Sequence, residues 1–298
     1  MATLSDVSCP FGIGTALGPD DDNTDEVLRQ IIHLALSLGI RVFDTAVNYR
    51  AGRSERVLGQ AIAEAVADGR VARSDIVVMT KGGYPRPGID YDPGKSGGCA
   101  PHRRHCLDPA YISDQIDLSL STLGVGIDVY YLHNPEEQTM KLSENQYWSR
   151  LASVVALLEE KVSDGSVASY GVASWCEPAD YRALDLARLC QLADDVSGGR
   201  HHLTAIEAPL SLFAREVLRP CQKVGHELMS LPSACATFGI AMVASASAGR
   251  GRSPHLAAVS SRWAASVPGV TLALAGTLSE GHLHEIVCPT SESVTYDA

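Results

Sequence analysis

The sequence predicts an α/β protein whose strands close into a (β/α)8 TIM barrel. Three observations carry that expectation. Eight short β-type runs alternate with eight longer helix-type segments, in units of roughly 37 residues, which suits a strand–helix repeat. Several runs are apolar on both faces, as in a parallel sheet covered by helices. The first run is followed by Gly14-Thr15-Ala16-Leu17-Gly18, not by the G-x-G-x-x-G turn that announces a doubly wound open sheet.

The first unit pairs a strand over residues 11–16 with a helix over 24–38, which starts on Thr24 and stops against Gly39. The second pairs 41–45 with 54–67, opening on Ser54. The third strand, 76–81, precedes a helix over 109–123, with Asp108 before it and Gly124 after it. Strand 127–133 leads to helix 143–164, bounded by Ser143 and Gly165, and strand 169–173 leads to helix 177–192. Strand 203–207 leads to a helical segment over 213–238, long enough to be broken. Strands 241–245 and 271–276 lead to helices 254–266 and 279–287. Ser, Thr and Asp satisfy the free N–H groups at helix starts, and Gly supplies the left-handed residue at helix ends.

One domain, 1–298, absorbs the whole chain. The connection over 82–108 breaks the rhythm: it is rich in glycine and proline and has no period. Long loops of this kind inside a compact domain are functional or mobile, and here it would lie over the C-terminal face of the barrel. Only ten residues precede the first strand, so no full N-terminal hairpin is expected to plug the barrel bottom.

The 24 basic and 35 acidic residues leave a net charge of −11, which repels nucleic acid and anionic membrane. No apolar run is long enough to span a bilayer, and the first residues lack the basic and apolar regions of a secretory signal. Eight cysteines are too sparse for a disulfide scaffold and read as reduced thiols in a cytoplasm. The expected partner is a small molecule; an anionic one would need a local positive pocket. Composition says nothing of oligomeric state.

Barrel chemistry sits where the strands end. The second, third and fourth strands end on Asp44, Lys81 and His133, and Tyr49 follows five residues after Asp44. Each has a plain reading alone: a surface ion pair, a satisfied core histidine, a turn cap. Together they are chemically consistent. A buried Lys81 wants Asp44 as counter-ion. An ammonium beside Tyr49 is expected to lower the phenol pKa from about 10, making it a general acid or base towards a carbonyl or alcohol oxygen. His133 could orient the same oxygen.

The stretch Gly39-Ile40-Arg41-Val42-Phe43-Asp44-Thr45-Ala46 with Tyr49, Ser54-Glu55 and Leu58-Gly59 resembles the signature of the aldo-keto reductases. Thr80-Lys81, Tyr130-Tyr131-Leu132-His133, Gly171-Val172, Gly249-Arg250-Gly251 and Gly276-Thr277 resemble later motifs of that family, in family order, from about residue 11 to 287. The resemblance implies a (β/α)8 barrel with NADP(H) extended across its C-terminal mouth. It implies Tyr49 as proton donor, tuned by Lys81 and Asp44, with His133 orienting the carbonyl. Gly14, Thr15, Asp44, Ser174, Glu207, Ser245, Gly249, Arg250, Gly251, Gly276, Thr277, Ser279, His282 and Glu285 are the expected cofactor contacts.

The nicotinamide positions depart from the family. Its Gly-Val-Ser-Asn after strand five reads Gly171-Val172-Ala173-Ser174 here, its strand-six Gln is Glu207, its stacking Tyr on strand seven is Ser245, and a late Asn aligns with Ile286. An ionised Glu207 can only accept hydrogen bonds, though its charge would favour the oxidised, positive nicotinamide. Ser245 forgoes aromatic stacking worth about 0.5–1.5 kcal/mol. His282 replaces the family's cation for the 2′-phosphate, so NAD(H) stays in play. By contrast, Ala248-Gly249-Arg250-Gly251 and the helix opening at Gly276-Thr277-Leu278-Ser279 suit phosphates.

The long loop holds Cys99, His102, Arg103, Arg104, His105 and Cys106. Four ligands from one short loop are spaced more tightly than in two-pair zinc sites, so no metal is expected. The loop reads instead as a positive, substrate-facing patch suited to an anionic substrate, or as the place of a Cys99–Cys106 disulfide. The expected activity is oxidoreductase chemistry: reversible hydride transfer between NADP(H) and a carbonyl or alcohol carbon of a sugar, lactol or secondary-metabolite ketone. The alternative is a cofactor-independent isomerase, lyase or cyclase that keeps Tyr49, Lys81 and His133 for proton transfer on a barrel that has lost nicotinamide use.

Overall fold

The structure, a computed structural model, describes residues 3–89, 105–140, 142–175 and 184–288. Strands β1 (Phe11–Gly14), β2 (Val42–Asp44), β3 (Val77–Gly82), β4 (Ile127–His133), β5 (Val167–Ala173), β6 (Leu203–Pro209), β9 (Ala241–Ser245) and β10 (Leu272–Ala275) form a closed barrel, each parallel to its neighbours. Between β6 and β9 lies an antiparallel hairpin, β7 (Gln222–Val224) with β8 (Glu227–Met229). The helices are α1 (Asp22–Ser37), α2 (Arg53–Ala67), α3 (Pro109–Leu123), α4 (Glu144–Ser163), α5 (Leu186–Ser197), α6 (Leu231–Phe238), α7 (Ala257–Ser266) and α8 (Glu280–Val287). All eight expected barrel strands are present.

The departures lie in the connections. The helix expected over 177–192 is α5, which runs from Leu186 behind an Asp185 cap; residues 176–183 lie outside the described residues. The broken helix expected over 213–238 is a hairpin followed by α6 alone. Its turn, Gly225-His226, places Gly225 at φ 61°, a conformation that closes a two-residue hairpin and that a helix cannot contain. The segment expected as one helix over 254–266 opens with a 3-10 turn, Pro254–Leu256, before α7. Leu4, in a short 3-10 turn ahead of β1, is buried in the inner cluster of the barrel.

Strand alternation divides the core in two. Val42, Val77, Met79, Val129, Tyr131, Ala205, Val243, Leu272 and Leu274 form the inner cluster, and their sequence neighbours Phe43, Val78, Tyr130 and Ile206 join the larger shell between strands and helices. Each large apolar side chain so buried contributes about 1.5–3 kcal/mol. The same alternation decides where chemistry can sit. Asp44, Lys81, His133, Glu207 and Ser245 each stand two residues beyond an inner-cluster residue. They therefore point into the barrel axis at its C-terminal end.

Candidate active site

β2 delivers Asp44 and the turn after it delivers Tyr49. That turn is pinned by Arg50, which adopts φ 47° and buries its guanidinium against Asp25 (2.6 Å) and the carbonyl of Pro19 (2.9 Å) at the entry to α1. β3 delivers Lys81. The side chain before it, Thr80, faces outward and donates to buried Glu55 on α2 (2.7 Å). The residue after it is Gly82, where a Cβ would lie 1.9 Å from the hydroxyl of Tyr130. Gln115 of α3 accepts from the Gly83 N–H (2.7 Å) and donates to the Tyr84 carbonyl (2.6 Å), which fixes the strand end. β4 delivers His133. Its carbonyl accepts from Nε2 of His105 (2.6 Å), and the left-handed Asn134 (φ 49°) turns the chain away.

The four expected residues meet. Lys81 is buried and donates to Asp44 Oδ2 and to the Thr45 carbonyl (3.1 Å). Its Nζ lies 5.1 Å from the Tyr49 ring centre. The Tyr49 ring packs edge-on to His133, with centroids 5.9 Å apart. Glu207 completes the cluster: its Oε2 is 3.4 Å from Lys81 Nζ, and its carboxyl is in hydrogen-bonding contact with that of Asp44.

This geometry sets the protonation states. Burial pushes the Glu207 carboxyl up, repulsion from Asp44 adds to it, and Lys81 opposes them; the result is about 8. Burial also raises Asp44, against the pull of Lys81 and the hydrogen bond from Glu207. Burial would lower the Lys81 ammonium, but Asp44, Glu207 and Tyr49 hold it well above the usual lysine range. Glu207 is thus neutral at pH 7, not the ionised acceptor considered from the sequence. Tyr49 also departs from expectation. Burial raises its pKa, Asp44 and Glu207 add to the rise, and the Lys81 charge only partly offsets them. The phenol is held as a proton donor, not pre-ionised. His133 is driven well below the imidazole range by burial, then by the Lys81 and His105 charges, and is a neutral ring whose buried Nδ1 has no hydrogen-bond partner among the described residues.

The expected cofactor contacts divide into several groups. Gly14 and Gly276 end on adjoining strands and leave a gap: a Cβ on Gly14 would meet nothing within 4 Å, and one on Gly276 only Leu17, at 3.5 Å. Ser245 is buried at the mouth with its hydroxyl unpartnered among the described residues. Gly249, Arg250 and Gly251 form a left-handed run, with φ of 79°, 56° and 74°. Other hydroxyls serve the fold. Thr15 donates to the Asp44 carbonyl (3.0 Å), Ser174 hydrogen-bonds half-buried Glu136, and Thr277 Oγ1 accepts from the Ser279 N–H (3.0 Å). Ser279 caps α8 by accepting from the His282 N–H (3.4 Å). His282 and Glu285 are exposed on α8.

Two side chains at the mouth escaped the sequence reading. Tyr84, from the loop after β3, packs edge-on to His133 (4.9 Å) and His105 (4.8 Å). Trp175, directly after Ser174, stacks under the Arg250 guanidinium at 4.3 Å. With Phe213, Glu216, Arg250 and Arg252 it lines a cavity of about 290 Å³ between the ends of β5, β6 and β9. None of Asp44, Tyr49, Lys81 and His133 lines that cavity. An exposed tryptophan at a strand end was the available signal.

Of the candidate zinc ligands, Cys99 and His102 lie outside the described residues, as do Arg103 and Arg104 of the expected positive patch. His105 has both ring nitrogens engaged, with the His133 carbonyl and with Gln138 (2.8 Å), and Cys106 is disulfide-bonded, an exception to the expected reduced thiols. Among the described residues no group of three or more His, Cys, Asp or Glu side chains could hold a metal ion, and no helix is long and apolar enough to cross a membrane.

The sequence pattern of the aldo/keto reductase family matches residues 10–231. An NADH-specific methylglyoxal reductase from Escherichia coli K12 is 31% identical over 172 residues, 55% of this chain and 48% of the relative. A D-threo-aldose 1-dehydrogenase from a Pseudomonas species is 30% identical over 207 residues, 66% of this chain and 56% of the relative. The matches thus span about half the length of these curated relatives. The crystal structure of a Klebsiella pneumoniae aldo/keto reductase in complex with NADP and acetate superposes with a TM-score of 0.63 at 20% identity, over 93% of this chain and 84% of that one.

Proposed function

The chain belongs to the aldo/keto reductase family, and from that premise we propose that it is an oxidoreductase that transfers a hydride between NADP(H) and a carbonyl or alcohol carbon of a small molecule, with Tyr49 as general acid and base. The observation that carries this reading is the buried contact of Asp44, Lys81 and Tyr49 beside a neutral His133. The nicotinamide supplies the hydride when bound. Tyr49 holds its proton until a substrate oxygen develops negative charge, and the Lys81 ammonium then lowers the cost of the phenolate left behind. The neutral imidazole of His133 donates an N–H to the same oxygen and positions it.

The rest of the mouth fits such a cofactor. The glycines at 14 and 276 leave space at the ends of β1 and β10, and the orphaned Ser245 hydroxyl at the end of β9 offers a polar contact. Neutral Glu207 both donates and accepts, as an amide side chain does. Arg250, the left-handed run around it and the capped start of α8 offer charge and N–H groups to the phosphates. NAD(H) competes with NADP(H), because the position expected to grip a 2′-phosphate is a histidine, His282, where a guanidinium would bind more firmly. Short oxoaldehydes and aldoses are the substrates to test first, on the relatives' names.

One observation favours the cofactor-independent reading. Ser174 and Glu207, expected to hold the nicotinamide amide, are both engaged within the protein, with Glu136 and with Asp44 and Lys81. Titration of the protein with NADPH and NADH, followed by fluorescence or calorimetry, separates the two. The redox reading expects saturable binding well below millimolar concentration. No binding at millimolar cofactor overturns it in favour of proton transfer alone.

A further inference from the structure

Among the described residues, the mouth carries one more acid than its single buried cation can balance. Lys81 faces two carboxyl groups, Asp44 from β2 and Glu207 from β6, each buried. The other titratable groups bearing on Glu207 are the phenols of Tyr49, from the turn after β2, and Tyr131, from β4, both raised in pKa and uncharged. No second cation from these elements reaches the cluster. Two ionised carboxylates would leave a net negative charge in a low-dielectric site. They would also set two negative carboxyl groups against each other in hydrogen-bonding contact. One proton held between the two carboxyl groups removes both problems, and it leaves Asp44, Lys81, Tyr49 and His133 electrically neutral as a set.

We propose that Glu207 selects the oxidation state of the cofactor. It keeps the proton it shares with Asp44 while the mouth is free or holds the neutral reduced ring, and releases that proton to solvent when the positively charged oxidised ring is bound. The inference rests on the nicotinamide reading above. The balance is simple: one O–H bond of Glu207 breaks, the proton goes to water, and the carboxylate charge left behind neutralises the incoming cation. No redox step is involved. A residue that only shaped the pocket would move no proton.

The expected pH behaviour follows from linkage. Ionised Glu207 favours the oxidised form, so below about pH 8 the affinity for NADP+ relative to NADPH should rise by up to about tenfold per pH unit, and it should level off above that. The 2′-phosphate titrates in both cofactors and cancels in the ratio. Calorimetric titration of the whole chain with NADP+ and with NADPH, in two buffers of different ionisation enthalpy at about pH 7, counts the protons directly. Wild type should release close to one more proton with NADP+ than with NADPH. Glu207→Gln, which keeps the shape and donor capacity but cannot ionise, should remove the excess proton and flatten the affinity ratio against pH. Equal proton counts for the two cofactors in wild type overturn the inference without any variant, and so does a Gln variant that retains the slope. Failure of both cofactors to bind at millimolar concentration overturns the nicotinamide reading and takes this inference with it.

Discussion

The two sides of the barrel mouth are built on opposite plans. The side formed by β2, β3, β4 and β6 is filled: Asp44, Lys81, His133 and Glu207 are buried, and Lys81 is held by a carboxylate and a backbone carbonyl. The side formed by β1, β9 and β10 is defined by what is missing, with Gly14 and Gly276 leaving space and Ser245 leaving an unpaired hydroxyl. Charges fixed in a dry interior are strong and intolerant of change, since removing one partner strands the other. A gap between glycines tolerates change in the free protein and reveals its purpose only when something must fit there. The filled side should therefore fail in chemistry, in stability and in the choice between oxidised and reduced cofactor, and the open side in binding alone.

The largest effect expected is at Tyr49. Tyr49→Phe should lower turnover by about 10²–10⁴-fold while cofactor affinity stays within about threefold, as steady-state kinetics and a binding titration would show. Loss of affinity instead would place Tyr49 in the open side's role and erase the comparison.

Lys81→Met should cost about 3–5 kcal/mol of stability at neutral pH in denaturant unfolding, because Asp44 and Glu207 lose the cation they share. Without it both carboxyl groups keep folded-state pKa values above their unfolded ones, and such acids cost stability as pH rises between the two. The loss should therefore shrink on going to about pH 5. A loss that does not vary with pH would mean the cluster is not electrostatically coupled.

Gly14→Val tests the open side. Because a Cβ there meets nothing within 4 Å, the variant should keep its melting temperature within a few degrees and yet lose about tenfold or more in cofactor affinity. Unchanged affinity would mean the gap is not where the ring lies. The smallest effect is Arg250→Ala, which removes one charge-assisted contact and the stack on Trp175. Arg250 is exposed, so the loss should be only about 0.5–1 kcal/mol of cofactor binding, with turnover at saturation unaltered.

The barrel was legible because parallel strands leave apolar runs that alternate with capped helices, a local signal that tertiary context does not erase. Asp44, Lys81 and His133 could be placed at the mouth because strand alternation carries a side chain from the inner cluster to the rim without further information. The hairpin at Gln222–Val224 and Glu227–Met229 was not legible. Its strands are three residues long, too short for alternation to show, and only Gly225 marks the turn. Trp175 and Tyr84 were missed because their roles come from neighbours distant in sequence, Arg250 and His133. Tyr49 taught most. A lysine beside a tyrosine reads as a lowered phenol pKa, but burial and two carboxyl groups outweigh it, and the second of those, Glu207, arrives from β6, more than 150 residues away in sequence.

The most direct test of the central claim is transfer of label. NADPH deuterated at the transferable position of the nicotinamide would be incubated with the protein and a panel of aldehydes that includes methylglyoxal and aldoses, and the alcohols analysed by mass spectrometry. Wild type should give alcohol carrying one deuterium on the former carbonyl carbon, and Tyr49→Phe almost none. Product without deuterium, product formed equally well without NADPH, or no alcohol from any aldehyde while NADPH is bound would contradict it.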